Sequence, residues 1–94
     1  MTIFKKAVNE TYDYGVNYAP KLDVGDTITA SVWTIPAGLT AGAPGNNTNT
    51  TSIFLSGGTV GNDYACVNRV TTAGGRVIER DFVVRIVPVR ELRA

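Results

Sequence analysis

The chain has 94 residues, a formal net charge of +1, no histidine and a single cysteine, Cys66. A chain of this length buries about two thirds of its surface, which is enough for one small core and therefore for one domain. Without imidazole, Ser-His-Asp and Cys-His catalysis and histidine-bearing zinc sites are excluded, as are cysteine clusters and an intrachain disulfide. The near-neutral charge and the lack of a basic block argue against nucleic-acid binding.

The N-terminal residues 1–9 show no strand pattern, and we expect them to form an arm outside the folded domain. Ile3 and Phe4 precede the basic pair Lys5 and Lys6, and no apolar h-region follows, so we do not expect this segment to be a secretory signal. No stretch approaches the 18 or so apolar residues that a membrane-spanning helix needs. We therefore expect synthesis in a cytoplasm and no contact with a membrane.

The following residues predict β-strands, because short runs rich in Thr, Val, Ile and Tyr alternate with Gly, Pro and Asn. Six strands are predicted in this way, over residues 12–18, 27–35, 39–43, 50–55, 63–72 and 76–87. A loop of small residues is expected over 42–49, and a tail after residue 88.

The last two predicted strands contain charges that decide how they pair. A three-residue loop over 73–75 places Arg69 opposite Glu79, whereas a two-residue loop places Arg69 opposite Arg80. Opposite charges across strands stabilise a sheet by about 0.2–1 kcal/mol and like charges destabilise it. The three-residue loop is therefore predicted, with Gly75 in the left-handed region that glycine adopts without steric cost.

Many short strands and almost no helical pattern predict an all-β protein, an immunoglobulin-like Greek-key β-sandwich of about seven short strands. We expect a single sandwich domain over residues 10–88, with the arm at 1–9 and a C-terminal tail at 89–94. Tyr64 stands two residues before Cys66, which is the spacing of a tyrosine corner. Trp33 on an earlier strand is a candidate core indole.

No group of residues predicts catalysis, and we expect no cofactor and no metal site. Glu79 and Asp81 share a strand face, but Arg69 on the same outward face makes a salt-bridge ladder the better interpretation. The glycine pairs at 57–58 and 74–75 neither open a helix nor precede a Lys-Ser/Thr pair, so they predict turns rather than phosphate loops.

Three tyrosines, Tyr12, Tyr14 and Tyr18, recur on one face of the first predicted strand. Exposed aromatic rings would favour a carbohydrate-binding module. Alternatively, the rings cover the core of a small domain that has one tryptophan. We favour the core interpretation and keep sugar binding as an alternative.

Residues 27–62 contain no Lys, Arg, Asp or Glu. An exposed, uncharged β-rich stretch is prone to edge-to-edge pairing, which charges usually prevent. Two explanations for the missing charges stay open. Either a partner or further copies of the chain cover part of this stretch, or its Thr, Ser, Asn and Gly residues keep it soluble without charges. The candidate interaction residues within it are Asn46, Asn47 and Asn49.

Several blocks, in order, resemble one family of small tailed-bacteriophage proteins. They are GDTI at 25–28, WTIPAGL at 33–39, LSGGT at 55–59, NRVTTAGGR at 68–76 and ERDF at 79–82. The likeness spans about residues 13–87. The chain departs from the family pattern at Cys66, where an aliphatic residue or Thr is more usual, and in the loop over 42–49.

Members of this family are small immunoglobulin-like virion proteins, often labelled fibre–tail or head–tail adaptors. The resemblance therefore implies a non-enzymatic structural protein of the virion, made in the cytoplasm of the bacterial host and docked at the neck or tail. Its expected partners are portal, neck, tail or capsid proteins and copies of itself in a symmetric assembly. A capsid decoration protein on the head shell is the alternative. In either role, we expect Ile3 and Phe4 to anchor the arm on a partner and Lys5 and Lys6 to face an acidic surface.

Overall fold

The computed structural model describes residues 2–92, which form seven strands. The strands are β1 (Ile3–Lys6), β2 (Tyr12–Asn17), β3 (Ile28–Thr34), β4 (Leu39–Asn46), β5 (Thr50–Gly57), β6 (Asp63–Thr72) and β7 (Val77–Ile86). Single-turn 3₁₀ helices, Ala19–Lys21 and Val89–Glu91, follow β2 and β7. Met1, Arg93 and Ala94, which belong to the predicted arm and tail, lie outside the described residues. Within 2–92 there is no helix of the length and apolarity that crossing a bilayer demands.

The strands form two sheets, one in the order β1-β7-β6-β3 and one in the order β2-β5-β4. The chain changes sheet between β1 and β2, β2 and β3, β3 and β4, and β5 and β6, whereas β4–β5 and β6–β7 are antiparallel hairpins. These connections correspond to the immunoglobulin arrangement, with β2, β5 and β4 in place of strands B, E and D, and β3, β6 and β7 in place of C, F and G. The predicted immunoglobulin-like sandwich is confirmed.

The β6–β7 hairpin has the register that the charges predict. Arg69 lies opposite Glu79, and Asp63 lies opposite Arg85. Arg85 contacts both carboxylate oxygens of Asp63, with Nε–Oδ1 at 2.9 Å and Nη2–Oδ2 at 3.1 Å. Gly75 closes the turn with a φ of 88°, in the left-handed region.

The core lies between the two sheets and is built from alternate residues of their strands. Trp33 packs edge-on against Phe82, with ring centroids 5.8 Å apart, so the indole belongs to the core as predicted. The main cluster of buried side chains is Tyr14, Leu39, Ile53, Leu55, Tyr64, Cys66, Phe82, Val84 and Ile86.

A buried amide, that of Asn68, joins the two sheets inside this core. Its Oδ1 accepts hydrogen bonds from the Tyr18 hydroxyl and the Thr51 hydroxyl, both at 2.9 Å. Its Nδ2 donates to Ser31 Oγ at 2.9 Å and to the Val32 carbonyl at 3.3 Å. Because both ends of the amide find partners, the polar group is accommodated without an unpaired donor or acceptor.

Residues 3–6, expected to lie in an arm outside the sandwich, instead form an edge strand of the four-stranded sheet. β1 pairs in parallel with β7, from Ile3 opposite Val83 to Lys6 opposite Ile86. A four-residue strand is too short to show an alternating pattern, and its innermost residue is a lysine rather than an apolar residue. The local sequence therefore gives no strand signal here, although the pairing of β1 with β7 is regular over four residues.

Candidate interaction surfaces

The described residues include no cluster of side chains that could hold a metal ion. Within 2–92, no three His, Cys, Asp or Glu side chains lie close enough together to hold a metal ion. Cys66 is buried, and desolvation raises the pKa of its thiol to about 11, so the reactive thiolate is scarce near neutral pH. Candidate functional residues are therefore sought on the surfaces and turns of the sandwich.

Two of the blocks that resemble the phage family meet at one end of the sandwich. Asp26 Oδ1 accepts hydrogen bonds from the backbone N–H of Gly74 at 2.8 Å and of Thr27 at 3.0 Å. Ala73 N–H donates to the Thr27 carbonyl at 2.9 Å. The bond from Gly74 is the main cause that lowers the pKa of Asp26, and Arg76, 3.5 Å away, adds to it. The GDTI and NRVTTAGGR blocks thus form one structural unit that holds two turns together.

The LSGGT block shapes the opposite end of the sandwich. Gly57 and Gly58 both have positive φ, and a Cβ on Gly58 would lie 2.6 Å from the Ile86 side chain. The Thr59 N–H donates to the Tyr64 hydroxyl at 3.0 Å, which completes the predicted tyrosine corner. This block therefore has a structural role at this end of the fold.

Lys6 is not available to a partner, which corrects the expectation that it faces an acidic surface. The residue is 0% exposed, and its Nζ donates to the carbonyls of Ala7 at 2.7 Å, Gly57 at 2.8 Å and Val8 at 3.3 Å. Burial lowers the pKa of this ammonium group, and the Glu10 carboxylate partly offsets the shift. The side chain connects β1 to the end of β5.

The other residues of the predicted arm divide between core and surface. The Phe4 ring packs against Tyr14 at 5.2 Å and Phe82 at 5.4 Å between ring centroids, so it is anchored within its own chain. Ile3 and Lys5 are exposed on the β1 edge. These two residues remain candidates for contact with another protein.

The three predicted loop asparagines have different environments. Asn46 is exposed at the end of β4. Asn47 Oδ1 accepts hydrogen bonds from Asn49 N–H at 3.1 Å and from Thr50 N–H at 2.8 Å, so its side chain forms the turn. Asn49 is partly buried, and its carbonyl accepts a hydrogen bond from Tyr18 N–H at 2.8 Å. Asn46 is the one of the three whose side chain is exposed and makes no hydrogen bond among the described residues.

The three tyrosines of the first predicted strand do not form one exposed face. Tyr14 and Tyr18 are buried, and the Tyr18 hydroxyl is bonded to Asn68 inside the core. Tyr12 is exposed and packs against the edge of Tyr14. The core interpretation is therefore correct for Tyr14 and Tyr18 but not for Tyr12.

The uncharged stretch 27–62 supplies two free sheet edges, and both lie on the same side of the sandwich. β3 ends the four-stranded sheet and β4 ends the three-stranded sheet, and side chains from both line one groove. On the opposite side, the edges β1 and β2 carry exposed Lys5 and Asp13.

The predicted loop over 42–49 is shorter than expected because β4 extends to Asn46.

Phe54 is a candidate contact that the sequence analysis did not single out. It is 48% exposed on the outer face of the three-stranded sheet, where its neighbours across the strands include Asp13 and Gly42. Its position between the inward-facing Ile53 and Leu55 is the signal that identifies it as an outward aromatic.

Comparison with known proteins identifies one family. The family model described as Podophage GP4 fiber-tail adaptor protein gp77 matches residues 6–85, which is most of the chain. The match covers β2 to β6, all of β7 except its last residue, and all of the blocks that carried the resemblance. Comparison with curated proteins gives no match.

Proposed function

Since the chain belongs to the podophage fibre–tail adaptor family, we propose that it joins a fibre to the tail of the virion as a small, non-enzymatic part. The family match over residues 6–85 is the observation that carries this proposal. The turns at both ends of the sandwich support it, because hydrogen bonds within the blocks that resemble the family hold them together. Synthesis in the host cytoplasm precedes incorporation into the particle.

An adaptor needs at least two separate docking surfaces, and we propose two on this sandwich. One is the β1 edge, where Ile3 and Lys5 are exposed. The other is the outer face of the three-stranded sheet around Phe54, with Asn46 at its end. We assign both surfaces to contacts with other virion proteins. Repetition around the symmetric tail would strengthen small contacts of this kind through avidity.

Electron microscopy of purified particles labelled with an antibody against this chain tests the proposed position. We expect label at the tail or its fibres. Label spread over the head shell would contradict the adaptor proposal and indicate capsid decoration. An absence of label, with the epitopes shown to be accessible, would contradict a virion role altogether.

Complementation of a phage that lacks this protein, with variants of the chain, tests whether the β1 edge is needed for incorporation at the tail. The double variant Ile3→Ser, Lys5→Glu changes two exposed side chains and is expected to reduce the label at the tail. Val77→Ser, which alters an exposed residue at the start of β7, is the matched control and is expected to leave the label unchanged. Equal labelling of the double variant and the wild type would remove the β1 edge from the docking surface.

A further inference from the structure

Sheet edges that soluble proteins leave open usually carry charges, proline or bulges that prevent pairing with another strand. The β1 edge carries Lys5 and the β2 edge carries Asp13, both exposed. β1 covers only the 83–86 part of β7, and the part of β7 that it leaves open carries Glu79 and Asp81. Charges therefore guard all the open edges on this side of the sandwich.

The two edges on the uncharged side differ in their protection. β4 contains Pro44, and its pairing with β5 is interrupted by a bulge between Ala41 and Pro44. β3 has no charge and no proline, and its one irregularity, between Ile28 and Ala30, lies at its start. Residues 30–34 are thus a regular, unguarded strand edge, and the described chain offers no second one.

We propose that β3 pairs antiparallel with β3 of a second copy of the chain, about a two-fold axis, so that two four-stranded sheets join into one sheet of eight strands. Burial of an unpaired charge is costly, so an uncharged edge fits an uncharged strand. Within this protein, the edge that meets this condition without proline or a bulge in its centre is β3 itself. A two-fold contact uses one such surface twice.

Val32 marks the centre of the proposed contact. It is 49% exposed in the middle of the regular stretch, on the outer face of the sheet opposite Arg69. A two-fold axis at Val32 places the two Val32 side chains opposite each other and places Ser31 of each copy opposite Trp33 of the other.

The same axis brings together the other uncharged elements of this side. It is perpendicular to the joined sheet, so both three-stranded sheets lie on one face and their β4 edges approach each other. Each copy has a groove of about 510 Å³ between β3 and β4, lined by Trp33, Ile35, Pro44 and Ile53 among others. The second copy would cover the mouth of this groove. Because the 27–62 stretch contains no Lys, Arg, Asp or Glu, the contact buries no charge from it.

Sedimentation velocity of the full chain over a concentration series tests the pairing. We expect a concentration-dependent dimer in the wild type. Val32→Lys is expected to weaken the dimer by about tenfold or more, because like charges that face each other across an interface strongly oppose association. Val77→Lys, at a residue 62% exposed and two strands away from β3, is the matched control and is expected to leave the dimer intact. Circular dichroism verifies that both variants fold.

Three results would overturn the proposal: a wild-type monomer up to the solubility limit, a Val32→Lys dimer as tight as the wild type, or equal weakening by Val77→Lys. The experiment uses the isolated protein and does not depend on where the chain sits in the particle. A failed pairing therefore leaves the adaptor proposal standing, and a failed adaptor proposal leaves the pairing standing.

A cysteine at the proposed axis tests the register. Val32→Cys is expected to give a disulfide-linked dimer when an oxidant is added, because directly opposed Cβ atoms lie about 4.5–5.5 Å apart, close to disulfide range. The native Cys66 is buried and does not compete. Val77→Cys is the control and is expected to form little disulfide-linked dimer. Failure of Val32→Cys to cross-link, or equal cross-linking by both variants, would overturn the register.

Discussion

Lys6 shows how one charged side chain connects distant parts of this small domain. Its ammonium group has three N–H donors, and three backbone carbonyls accept them, including that of Gly57 at the end of β5. Full burial of a lysine is rare because desolvation disfavours the charge, and here it lowers the pKa of the group. The matched acceptors explain why the side chain is tolerated inside the fold.

Lys6→Met keeps the length of the side chain but removes its donors, so it tests this role. We expect the free energy of unfolding to fall by about 1–3 kcal/mol, because buried carbonyls lose their hydrogen bonds. Lys5→Met, at the neighbouring exposed position, is expected to change it by no more than about 0.5 kcal/mol. Urea denaturation measures both. Equal values for the two variants would show that the three hydrogen bonds contribute nothing to stability.

At the scale of elements, the strand that most changes the interpretation of the chain is β1. Its parallel pairing with β7 extends the four-stranded sheet, and its Phe4 ring covers Tyr14 and Phe82. Residues that were expected to form an arm outside the domain, anchored on a partner, are thus part of the domain itself. Removal of residues 1–6 would therefore expose core side chains as well as remove a docking edge.

Substitution of Phe4 separates these two roles of β1. Phe4→Ala is expected to lower the free energy of unfolding by about 2 kcal/mol, below the range for a fully buried phenylalanine because the ring is only partly covered. Ile3→Ala, at an exposed position of the same strand, is expected to cost less than about 1 kcal/mol. Thermal and urea unfolding give both values. If Phe4→Ala were neutral, the segment would behave as the free arm that its sequence suggests.

At the scale of the whole molecule, charged and uncharged surfaces are separated. The uncharged 27–62 stretch forms one side with the free edges of β3 and β4, while the charges lie on the other strands and at the turns. Several of these charges support the fold itself. Hydrogen bonds lower the pKa of Asp26 and of Asp63 below their ordinary value of 3.8, chiefly from Gly74 for Asp26 and from Arg85 for Asp63.

These shifts, together with that of Cys66, predict the pH range in which the molecule is most stable. A carboxylate with a lowered pKa stabilises the fold above pH 3.8 and loses this contribution as the pH falls through its folded-state pKa. Cys66, raised from 9.0 to about 11, stabilises the fold below pH 9.0 and loses its contribution as the pH rises to about 11. We expect the thermal midpoint to be highest between these limits, as measured by circular dichroism.

Asp26→Asn tests the acid side of this range. The variant removes the titrating group but keeps a side-chain oxygen that accepts hydrogen bonds from the turn. We expect a lower midpoint at neutral pH and a shallower decline on acidification than in the wild type. An unchanged acid decline would mean that the turn bonds to Asp26 do not couple its protonation to folding.

The sequence by itself determined the sandwich class, six of the seven strands and the register of β6 with β7. Alternation along a strand and the charges across a hairpin are local signals, so they are readable without the fold. The interaction residues stay a prediction: Ile3, Lys5 and Asn46 are exposed, as a contact needs, whereas Lys6 is buried and Phe4 packs against the core.

The tertiary structure alone decided the strand β1, the burial of Lys6, the buried amide of Asn68 and the placement of β3 and β4 on one side. Each depends on contacts between residues far apart in the chain, such as Lys6 with Gly57 and Tyr18 with Asn68. No periodicity within a short window reports such contacts. A polar residue at an inward position is stable only where distant partners satisfy it, and the topology supplies those partners.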